Sequence, residues 1–457
     1  MCLPHAAARG LSLLDKVLNL RGIRLPWFSL LNLMTSSHKQ AIFPQVLVSQ
    51  IGARHHYAIP RMLEKVGCLA AFHTDANAVK GLGKWLTRVP ALGSRGPLKN
   101  LGQRTLNGVP YAKIRHTDAL LWRRIRGALR LGPGYENYIE DDHLFDAIIA
   151  ARGFEGVDIL YAMQKHGTKI LEAAQAAGVR TVVDVFITPM CHHIVEEERA
   201  RYPGIEASCE DQARLELEDE RTRREIDHAD LLLCPGMNVV EGLANFPNAR
   251  GKAYAVVPYG CGVSFGGMKN KPVKGRVLFA GTADLRKGIH YLGMAAEQLA
   301  NEGYDFRVAG NVSDEVRNHP MIRHLNFLGR VPREDMREEF LKADVFVLPT
   351  LAEGCASVVH EAVMAGCPVI TTHASGTMVE DGRGGVIVPE RDPDALAEAI
   401  QSIVQNRDKR DELALSCDTL AEAFTEDSWS ERLMAALTDP NPTTIPANIS
   451  ELNAKSV

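Results

Sequence analysis

The sequence predicts an α/β protein in which two doubly wound domains face each other across a cleft. Two series of short apolar segments alternate with segments of helical periodicity, a pattern typical of parallel sheets covered by helices. A Gly-rich stretch with a proline, residues 254–267, separates the two series. The length of 457 residues also exceeds what one ordinary hydrophobic core accommodates.

The first series begins with a short apolar strand at Val46–Ser49, and Gly52 marks its end. The residues that follow, up to Val66, have a helical pattern. Further strands are predicted at 68–74, 158–162, 180–187 and 229–235. Residues 167–178 have helical periodicity, and Gly178 suits the end of that helix.

The second series predicts six strands, at 276–282, 305–311, 325–331, 343–350, 367–372 and 384–389. In the helix that follows, Asp392 suits the N-cap and Pro393 the first helical position. Ligands of doubly wound sheets bind at the carboxyl ends of the strands, so functional residues are expected in the loops that follow them.

Composition excludes several classes of function. A net charge of −4 disfavours a general nucleic-acid-binding protein. The nine cysteines form no CxxC pair and the chain starts without a secretory pattern, which predicts a reducing, cytoplasmic compartment. No apolar run approaches the roughly 18 residues that a membrane-spanning helix needs.

Basic residues are concentrated between residues 75 and 130, where only Asp75 and Asp118 are acidic. A solvated surface is one interpretation, and contact with anionic membrane lipid or an anionic acceptor is the other. The basic residues are Lys80, Lys84, Arg88, Arg95, Lys99, Arg104, Lys113, Arg115, Arg123, Arg124, Arg126 and Arg130.

The segment PTLAEGCASVVHEAVMAGCPVI places Glu353 and Glu361 on either side of small residues that open a helix. Backbone N–H groups of Cys355, Ala356 and Ser357 at a helix N-terminus favour a phosphate group. Carboxylates accept hydrogen bonds from paired hydroxyls, such as those of ribose or a sugar. A nucleotide sugar, with hydroxyls at both ends of a diphosphate, matches this arrangement.

The segment GTADLRKGIHYL places Arg286 and Lys287 just after a predicted strand. Two cations in such a loop suit the charge that develops on a leaving diphosphate, although ordinary loop charge is the alternative interpretation.

These motifs resemble those of family 4 glycosyltransferases, which are retaining, nucleotide-sugar-dependent enzymes with the GT-B fold. The resemblance is carried by EGCASVVHE, which matches the family's E-x7-E motif, by GTADLRKG and by VVPYGCG, and it covers most of residues 229–435. It implies catalytic roles for Glu353, Arg286 and Lys287. The donor-binding residues that it implies are Glu361, Gly354, Cys355, Ala356, Ser357, Val358, Gly281 and Thr282.

The chain departs from the family pattern in both predicted domains. Gly281-Thr282 stands where the family often has Gly-Arg, and Cys355-Ala356 where Phe-Gly is common. In the first domain the resemblance implies that Gly52 lets the backbone approach donor and acceptor. Many members carry a His at about the position of Asp184, and His192 or His193 could take its place.

The resemblance also implies an organisation of the chain. We expect a leader at 1–43, mobile or interfacial, and an acceptor-side domain at 44–257. A nucleotide-sugar-binding domain at 258–425 and a helix at 426–438 that crosses back to the first domain follow, and then a disordered tail at 439–457.

The function that the resemblance implies is transfer of a sugar from a nucleotide-diphosphate sugar to a glycan or lipid-linked hydroxyl acceptor. The enzyme would be hexosyltransferase-like and act in the cytoplasm or peripherally at the inner membrane face, without nucleic acid. We expect no cofactor and no metal, because basic residues serve the diphosphate and the triplet Asp392–Asp394 suits a helix cap. The alternatives are a nucleotide-sugar epimerase of the same fold and a catalytically silent GT-B binding protein.

Overall fold

Two parallel sheets organise this computed structural model. The structure describes residues 43–88, 101–128, 135–165, 168–206 and 212–446. The predicted fold class of two doubly wound α/β domains is confirmed. The leader expected at 1–43 lies outside the described residues except for Phe43.

The first sheet has eight strands in the order β15-β7-β6-β5-β4-β1-β2-β3, all parallel except β15 against β7. These strands are β1 (Val46–Gln50), β2 (Leu69–Thr74), β3 (Ile114–His116), β4 (Ile159–Met163), β5 (Arg180–Asp184), β6 (Leu231–Cys234), β7 (Ala253–Val256) and β15 (Thr443–Thr444). Every residue of β1 and β4 is buried, as expected for parallel strands covered on both faces.

The second sheet has seven strands in the order β10-β9-β8-β11-β12-β14-β13, all parallel. They are β8 (Arg276–Ala280), β9 (Asp305–Ala309), β10 (Asn326–Gly329), β11 (Val345–Leu348), β12 (Val369–Thr371), β13 (Glu380–Asp381) and β14 (Gly384–Ile387). Near its centre each sheet reverses its strand order, between β1 and β4 in the first sheet and between β8 and β11 in the second. Ligands of doubly wound sheets bind at such central reversals.

Helices connect the strands of both sheets. In the first half they are α1 (Ala58–Lys65), α2 (Gly81–Thr87), α3 (Ala119–Ala128), α4 (Tyr135–Arg152), α5 (Thr168–Ala176), α6 (Cys191–Arg201), α7 (Gln212–Asp227) and α8 (Met237–Leu243). In the second half they are α9 (Ile289–Gln298), α10 (Asp314–Arg317), α11 (Arg333–Lys342), α12 (Ser357–Met364), α13 (Pro393–Gln405), α14 (Arg407–Ala421) and α15 (Glu426–Thr438). Asp392 caps α13 as predicted, since its side chain accepts a hydrogen bond from the Ala395 N–H.

The structure differs from the sequence analysis at three segments. The predicted linker at 254–267 begins inside strand β7, and a short strand, β3, lies within the basic segment. The expectation of a disordered tail from Asp439 is wrong for residues 443–446, because β15 pairs with β7 and Ile445 is buried. Residues 447–457 lie outside the described residues.

The last helix, α15, contacts the first half of the molecule. Arg61 and Lys65 of α1 form ion pairs with Glu426 and Asp427 at 2.5 and 2.6 Å. At the other end of α15, Arg180 donates a hydrogen bond to the Leu437 carbonyl. Across the described ranges, no helix combines the length and the apolar character needed to cross a membrane.

Candidate active site

Charged side chains from both halves meet where the two sheets reverse their strand order. Arg54 follows β1, Lys165 follows β4, and His192 lies in α6 after β5. Arg286 follows β8 and Glu353 follows β11. All five line one cavity of about 540 Å³. The cavity therefore has one wall from each half, at the position where doubly wound sheets bind ligands.

Two cations converge on Glu353 in the second half. Arg286 Nη1 lies 2.7 Å and Lys287 Nζ 2.5 Å from Glu353 Oε1. Burial alone would raise the pKa of Glu353, but Lys287 and Arg286 hold the pKa of this carboxyl below its ordinary value. Glu353 is therefore ionised at neutral pH, and both predicted cations stand beside it.

Short-range geometry fixes the loop that carries the cations. Asp284 Oδ1 accepts a hydrogen bond from the Lys287 N–H at 2.9 Å. Gly288 has a φ of 70°, and a Cβ there would lie 1.9 Å from the Pro349 carbonyl oxygen, so only glycine fits. At Gly281 a Cβ would approach the Lys287 side chain to 3.1 Å, and Thr282 is exposed. Of the two predicted donor-binding residues of this loop, Gly281 therefore lies against the Lys287 side chain.

The Glu353 loop is held by the opposite half. A Cβ at Gly354 would lie 1.8 Å from the Phe186 carbonyl oxygen, so this glycine permits contact between the halves. Asn238 Nδ2 donates to the Glu353 carbonyl at 2.8 Å, and the Thr188 N–H donates to the same oxygen at 3.3 Å. Sequence reasoning missed Asn238, which acts from a helix after β6 and belongs to no motif.

The predicted phosphate-binding amides are only partly available. Ala356 is buried and its N–H donates to the Ser375 carbonyl at 2.9 Å, so this amide does not remain for a ligand. Ser357 and Val358 are the first two residues of α12, where N–H groups have no partner within the helix. Cys355 is partly buried, and burial raises the pKa of its thiol to about 12. The Ala356 amide is therefore excluded from the predicted anion site, and the first turn of α12 remains part of it.

Glu361 lies one turn into α12 and is partly buried. Within the described residues its carboxylate has no hydrogen bond or ion pair. Burial raises the pKa of Glu361, and Arg333 partly offsets that effect. A half-buried carboxylate without a donor is suited to accept hydrogen bonds from a ligand.

Asp184, which stands at about the position where many family members carry a His, is not among the residues that line the cavity. Its two carboxylate oxygens accept hydrogen bonds from the hydroxyls of Tyr161 and Tyr259, each at 2.5 Å, and the side chain is buried. Burial raises the pKa of Asp184, while the two tyrosines lower it. Asp184 therefore ties β4 and the segment after β7 to the end of β5.

The loop after β1 has an unusual backbone. Gly52 has a φ of 77°, and there is open space where a Cβ would stand. His55, His56 and Tyr57 all adopt left-handed conformations, with φ of 47°, 50° and 61°. Such conformations cost on the order of 1 kcal/mol or more for each non-glycine residue and concentrate at functional sites.

This strained loop aims Arg54 into the cavity. The guanidinium carbon of Arg54 lies 3.3 Å from the centroid of the Phe186 ring, and burial lowers the pKa of Arg54. The His55 ring packs at 4.2 Å from that of Tyr259. Sequence reasoning did not predict a role for Arg54. The one available indication was its position two residues after Gly52.

The two candidate histidines of α6 differ in position. His192 lines the cavity, and its Nε2 is 2.9 Å from Lys165 Nζ. His193 instead lies against Asp219 at 2.9 Å and does not line the cavity. The structure thus places His192, and not His193, beside the cations.

Helix α6 also joins the first half to the second through Glu198. This carboxylate is buried and lies 2.5 Å from Arg391 Nε, 2.8 Å from the Tyr291 hydroxyl and 3.1 Å from His290 Nε2. Burial alone would raise the pKa of Glu198, but His290, Arg391 and Tyr291 lower it to about 2. The wall that carries His192 is thereby anchored to the second half.

One region of the chain matches a known protein family. Residues 274–406 match the family described as Glycosyl transferases group 1, and this region includes Arg286, Lys287, Glu353 and Glu361. The second half of the chain is therefore similar to a group 1 glycosyltransferase domain over these residues.

Curated relatives match this chain over short regions only. Glycogen synthase of Mycobacterium tuberculosis is 29% identical over 140 residues, which is 28% of this chain and 34% of that protein. D-inositol 3-phosphate glycosyltransferase of Corynebacterium kroppenstedtii is 31% identical over 113 residues, 24% of each chain. A lipopolysaccharide core biosynthesis glycosyltransferase of Rhizobium meliloti is 28% identical over 159 residues, 33% of this chain and 46% of that protein. The matches span less than half the length of these relatives.

Solved structures match over most of the chain. Sucrose-phosphate synthase from Thermosynechococcus elongatus has a TM-score of 0.59 at 17% identity and covers 85% of this chain and 97% of its own. Anabaena HepE in complex with UDP and glucose has a TM-score of 0.55 at 16% identity and covers 86% and 99%. The fold is GT-B.

Proposed function

We propose, from the GT-B fold and the similarity to group 1 glycosyltransferases, that this protein is a retaining family 4 glycosyltransferase. It moves a sugar from a nucleotide-diphosphate sugar to a hydroxyl acceptor in glycan, polysaccharide or glycolipid biosynthesis. The observation that carries the proposal is the convergence of Arg286 and Lys287 on Glu353 in a cavity that both halves line.

The donor occupies the second-half wall in this proposal. Its diphosphate lies between the first turn of α12 and the two cations, which exchange their contact with Glu353 for the phosphate oxygens. Glu361, whose carboxylate lacks a donor among the described residues, accepts hydrogen bonds from the ribose diol. Glu353 then contacts hydroxyls of the sugar. A solved neighbour in complex with UDP and glucose supports this class of donor.

The reaction proceeds on one face of the sugar. The bond between the anomeric carbon and the diphosphate oxygen breaks, and a bond to the acceptor hydroxyl oxygen forms on the same face. The acceptor proton passes to the departing phosphate oxygen, so the step needs no protein nucleophile. Arg286 and Lys287 stabilise the charge on the leaving diphosphate, and the remaining cavity residues orient the reactants.

The first-half wall receives the acceptor. Arg54 and His192 line the cavity together with Arg286, and Gly52 leaves space in the loop that carries Arg54. This wall is where a glycan or lipid-linked hydroxyl would approach the anomeric carbon. The proposal places the enzyme in the cytoplasm, where nucleotide sugars are made, and uses no cofactor and no metal.

Incubation of the purified protein with UDP-, GDP- and ADP-sugars tests the proposal, with release of the nucleoside diphosphate and of the sugar as readouts. We expect release from one nucleotide class, and an unfolding midpoint raised by the same nucleoside diphosphate through mass action. Lys287→Met should slow release by about 10²- to 10³-fold. Lys271→Met, which changes an exposed lysine of the same half, should not slow it.

Three outcomes would contradict the proposal. Absence of both release and a midpoint shift in all three classes would remove the donor site. A midpoint shift without release, with acceptors present, would favour a silent binding protein. Conversion of the donor to its epimer would favour a nucleotide-sugar epimerase.

A further inference from the structure

Three large aromatic side chains of the first half are exposed. Trp85 in α2, Tyr111 before β3 and Trp122 in α3 are 62%, 56% and 52% exposed. All the exposed large aromatic residues among the described ranges fall in this segment, within 38 residues of sequence. Exposed indole and phenol rings are costly in water and characterise surfaces that bind a partner or a membrane.

The three exposed rings are carried by neighbouring elements, and we name them together the aromatic face (Trp85, Tyr111 and Trp122). Lys80 Nζ lies 4.2 Å from the centroid of the Tyr111 ring and donates to the Tyr111 carbonyl. The Leu82 N–H donates to Asp118 Oδ2 at 3.0 Å, which joins the start of α2 to the start of α3. Trp85 and Trp122 each lie about one helical turn beyond this junction.

A basic cavity lies next to Tyr111 of the aromatic face, because Lys80 both lines this cavity and contacts the Tyr111 ring. The cavity has a volume of about 610 Å³ and is lined by Lys80, Arg115, His116 and Arg152, with Glu155 as its acidic residue. In the part of the chain that the structure describes, neither Arg115 nor Arg152 forms an ion pair with a carboxylate. The positive charge of this cavity is therefore only partly balanced, by Glu155.

A buried histidine supports the orientation of Arg152. Arg152 Nη1 is 3.3 Å from His73 Nδ1, and Nη2 donates to the His116 carbonyl. Burial, together with Arg152 and Arg115, lowers the pKa of His73 to about 3, so its neutral ring accepts the hydrogen bond. A cation held in this way presents its remaining N–H groups to an anion such as a phosphate ester.

Other basic residues of the segment are already paired. Arg104 contacts Asp75 at 2.8 Å and Lys113 contacts Glu64 at 2.6 Å, so they form structural ion pairs. The basic segment as a whole is therefore not one binding surface, since Arg104 and Lys113 are already occupied. What stays available is the basic cavity and the aromatic face beside it.

We propose that the aromatic face and the basic cavity together dock this protein on an anionic phospholipid bilayer. Aromatic side chains lie at headgroup depth in such interfaces, and basic side chains are attracted to the negative surface. The cavity accepts a lipid phosphate while the three rings enter the headgroup layer. This docking needs no transferase activity and can therefore be tested independently of it.

Co-sedimentation of the full-length protein with vesicles tests the docking. We expect binding to phosphatidylcholine vesicles that contain phosphatidylglycerol, little binding to pure phosphatidylcholine, and weakening at high salt because ions screen the attraction. Arg115→Glu and Trp85→Ser should each lower the partition coefficient about tenfold. Matched exposed residues of the second half supply controls, Lys274→Glu and Leu415→Ser, which should bind like the parent. Circular dichroism confirms that all four variants fold.

Several results would overturn the proposal. Equal or negligible binding to both vesicle types would do so, as would variants of the aromatic face that bind like their controls. A midpoint shift with inorganic phosphate or glycerol phosphate, without vesicle binding, would assign the cavity to a small anion. A dimer that Trp85→Ser dissociates would assign the aromatic face to a second copy of the chain, and competition by duplex DNA at equal strength would assign it to nucleic acid.

Discussion

The two walls of the cavity differ in how their charges are held. In the second half, Arg286, Lys287 and Glu353 come from loops directly after β8 and β11 and pair with one another within 2.7 Å. In the first half, Arg54 depends on a strained loop and a stack on Phe186. The comparison shows that the charged residues of the second-half wall are held by ion pairs with one another, whereas Arg54 of the first-half wall is held by a strained backbone and an aromatic contact.

The family match follows the same division. Residues 274–406 contain the entire second-half wall, whereas no residue of the first-half wall falls in the matched region. We infer that the donor chemistry is carried by the recognisable wall and that acceptor choice depends on the other. The predictions below test that division.

The largest effect is expected at the second-half wall. Lys287→Met should lower kcat/KM by about 10²- to 10³-fold, because a buried cation that faces the leaving group is lost. Arg54→Met on the opposite wall should mainly raise the acceptor KM. Steady-state kinetics with both substrates varied will measure this, and equal losses of kcat in the two variants would break the comparison.

The two glutamates of the second half should respond differently. Glu361→Ala should mainly raise the donor KM, because a contact present in both ground and transition states is removed. Glu353→Gln should mainly lower kcat. Each change removes a charge-assisted hydrogen bond of roughly 1.5–3 kcal/mol, or about one to two orders of magnitude in the affected constant. Parental constants in either variant would refute the role given to that residue.

Asp184 should behave as a structural residue of the first half. Asp184→Asn replaces one of two buried acceptors with a donor, which should lower the free energy of unfolding by about 1–3 kcal/mol. The kcat of the folded fraction should change much less than in Glu353→Gln. Urea unfolding measures the stability of the variant, and activity per folded molecule measures its kcat. A stable but inactive variant would show that Asp184 takes part in the reaction.

A smaller, pH-dependent effect is expected inside the second half. His360 of α12 is buried against the Phe424 ring, and burial, with Arg432 and His55, lowers its pKa to about 3. Below pH 6.5 the unfolded imidazole binds a proton that the folded one does not, so stability is lost as the pH falls. Between pH 6.5 and 5.5 this amounts to about 1.4 kcal/mol at most.

The variant His360→Gln removes that titrating group and should flatten the decline by about this amount. His324→Gln changes an exposed histidine of the same half and serves as the control. Urea unfolding at both pH values measures the difference. A decline in His360→Gln as steep as in the parent would show that His360 does not contribute.

The predictability of the fold and site follows the same physical division. Alternating apolar segments and cap residues such as Asp392 act within a few residues of sequence, so the two doubly wound domains could be predicted. Arg286, Lys287 and Glu353 could be singled out because strand ends meet at one edge of a sheet. Their roles in the reaction stay predictions.

Features of the site that depend on tertiary contacts could not be predicted from the sequence. Asp184 is occupied by hydroxyls from Tyr161 and Tyr259, which lie 23 and 75 residues away. The Ala356 amide is taken by Ser375 across a loop. The three left-handed residues after Arg54 carry ordinary side chains, so nothing in their identity indicates that conformation.

The Glu198 cluster has a consequence for the motion of the enzyme. If the cleft opens, withdrawing α6 from the second half would leave a buried carboxylate without Arg391, Tyr291 and His290. Stripping such a group of a partner costs about 3–5 kcal/mol. Opening is therefore expected to carry α6 along with the second sheet, so the mechanical boundary of the moving bodies would run through the first half and not between the sheets.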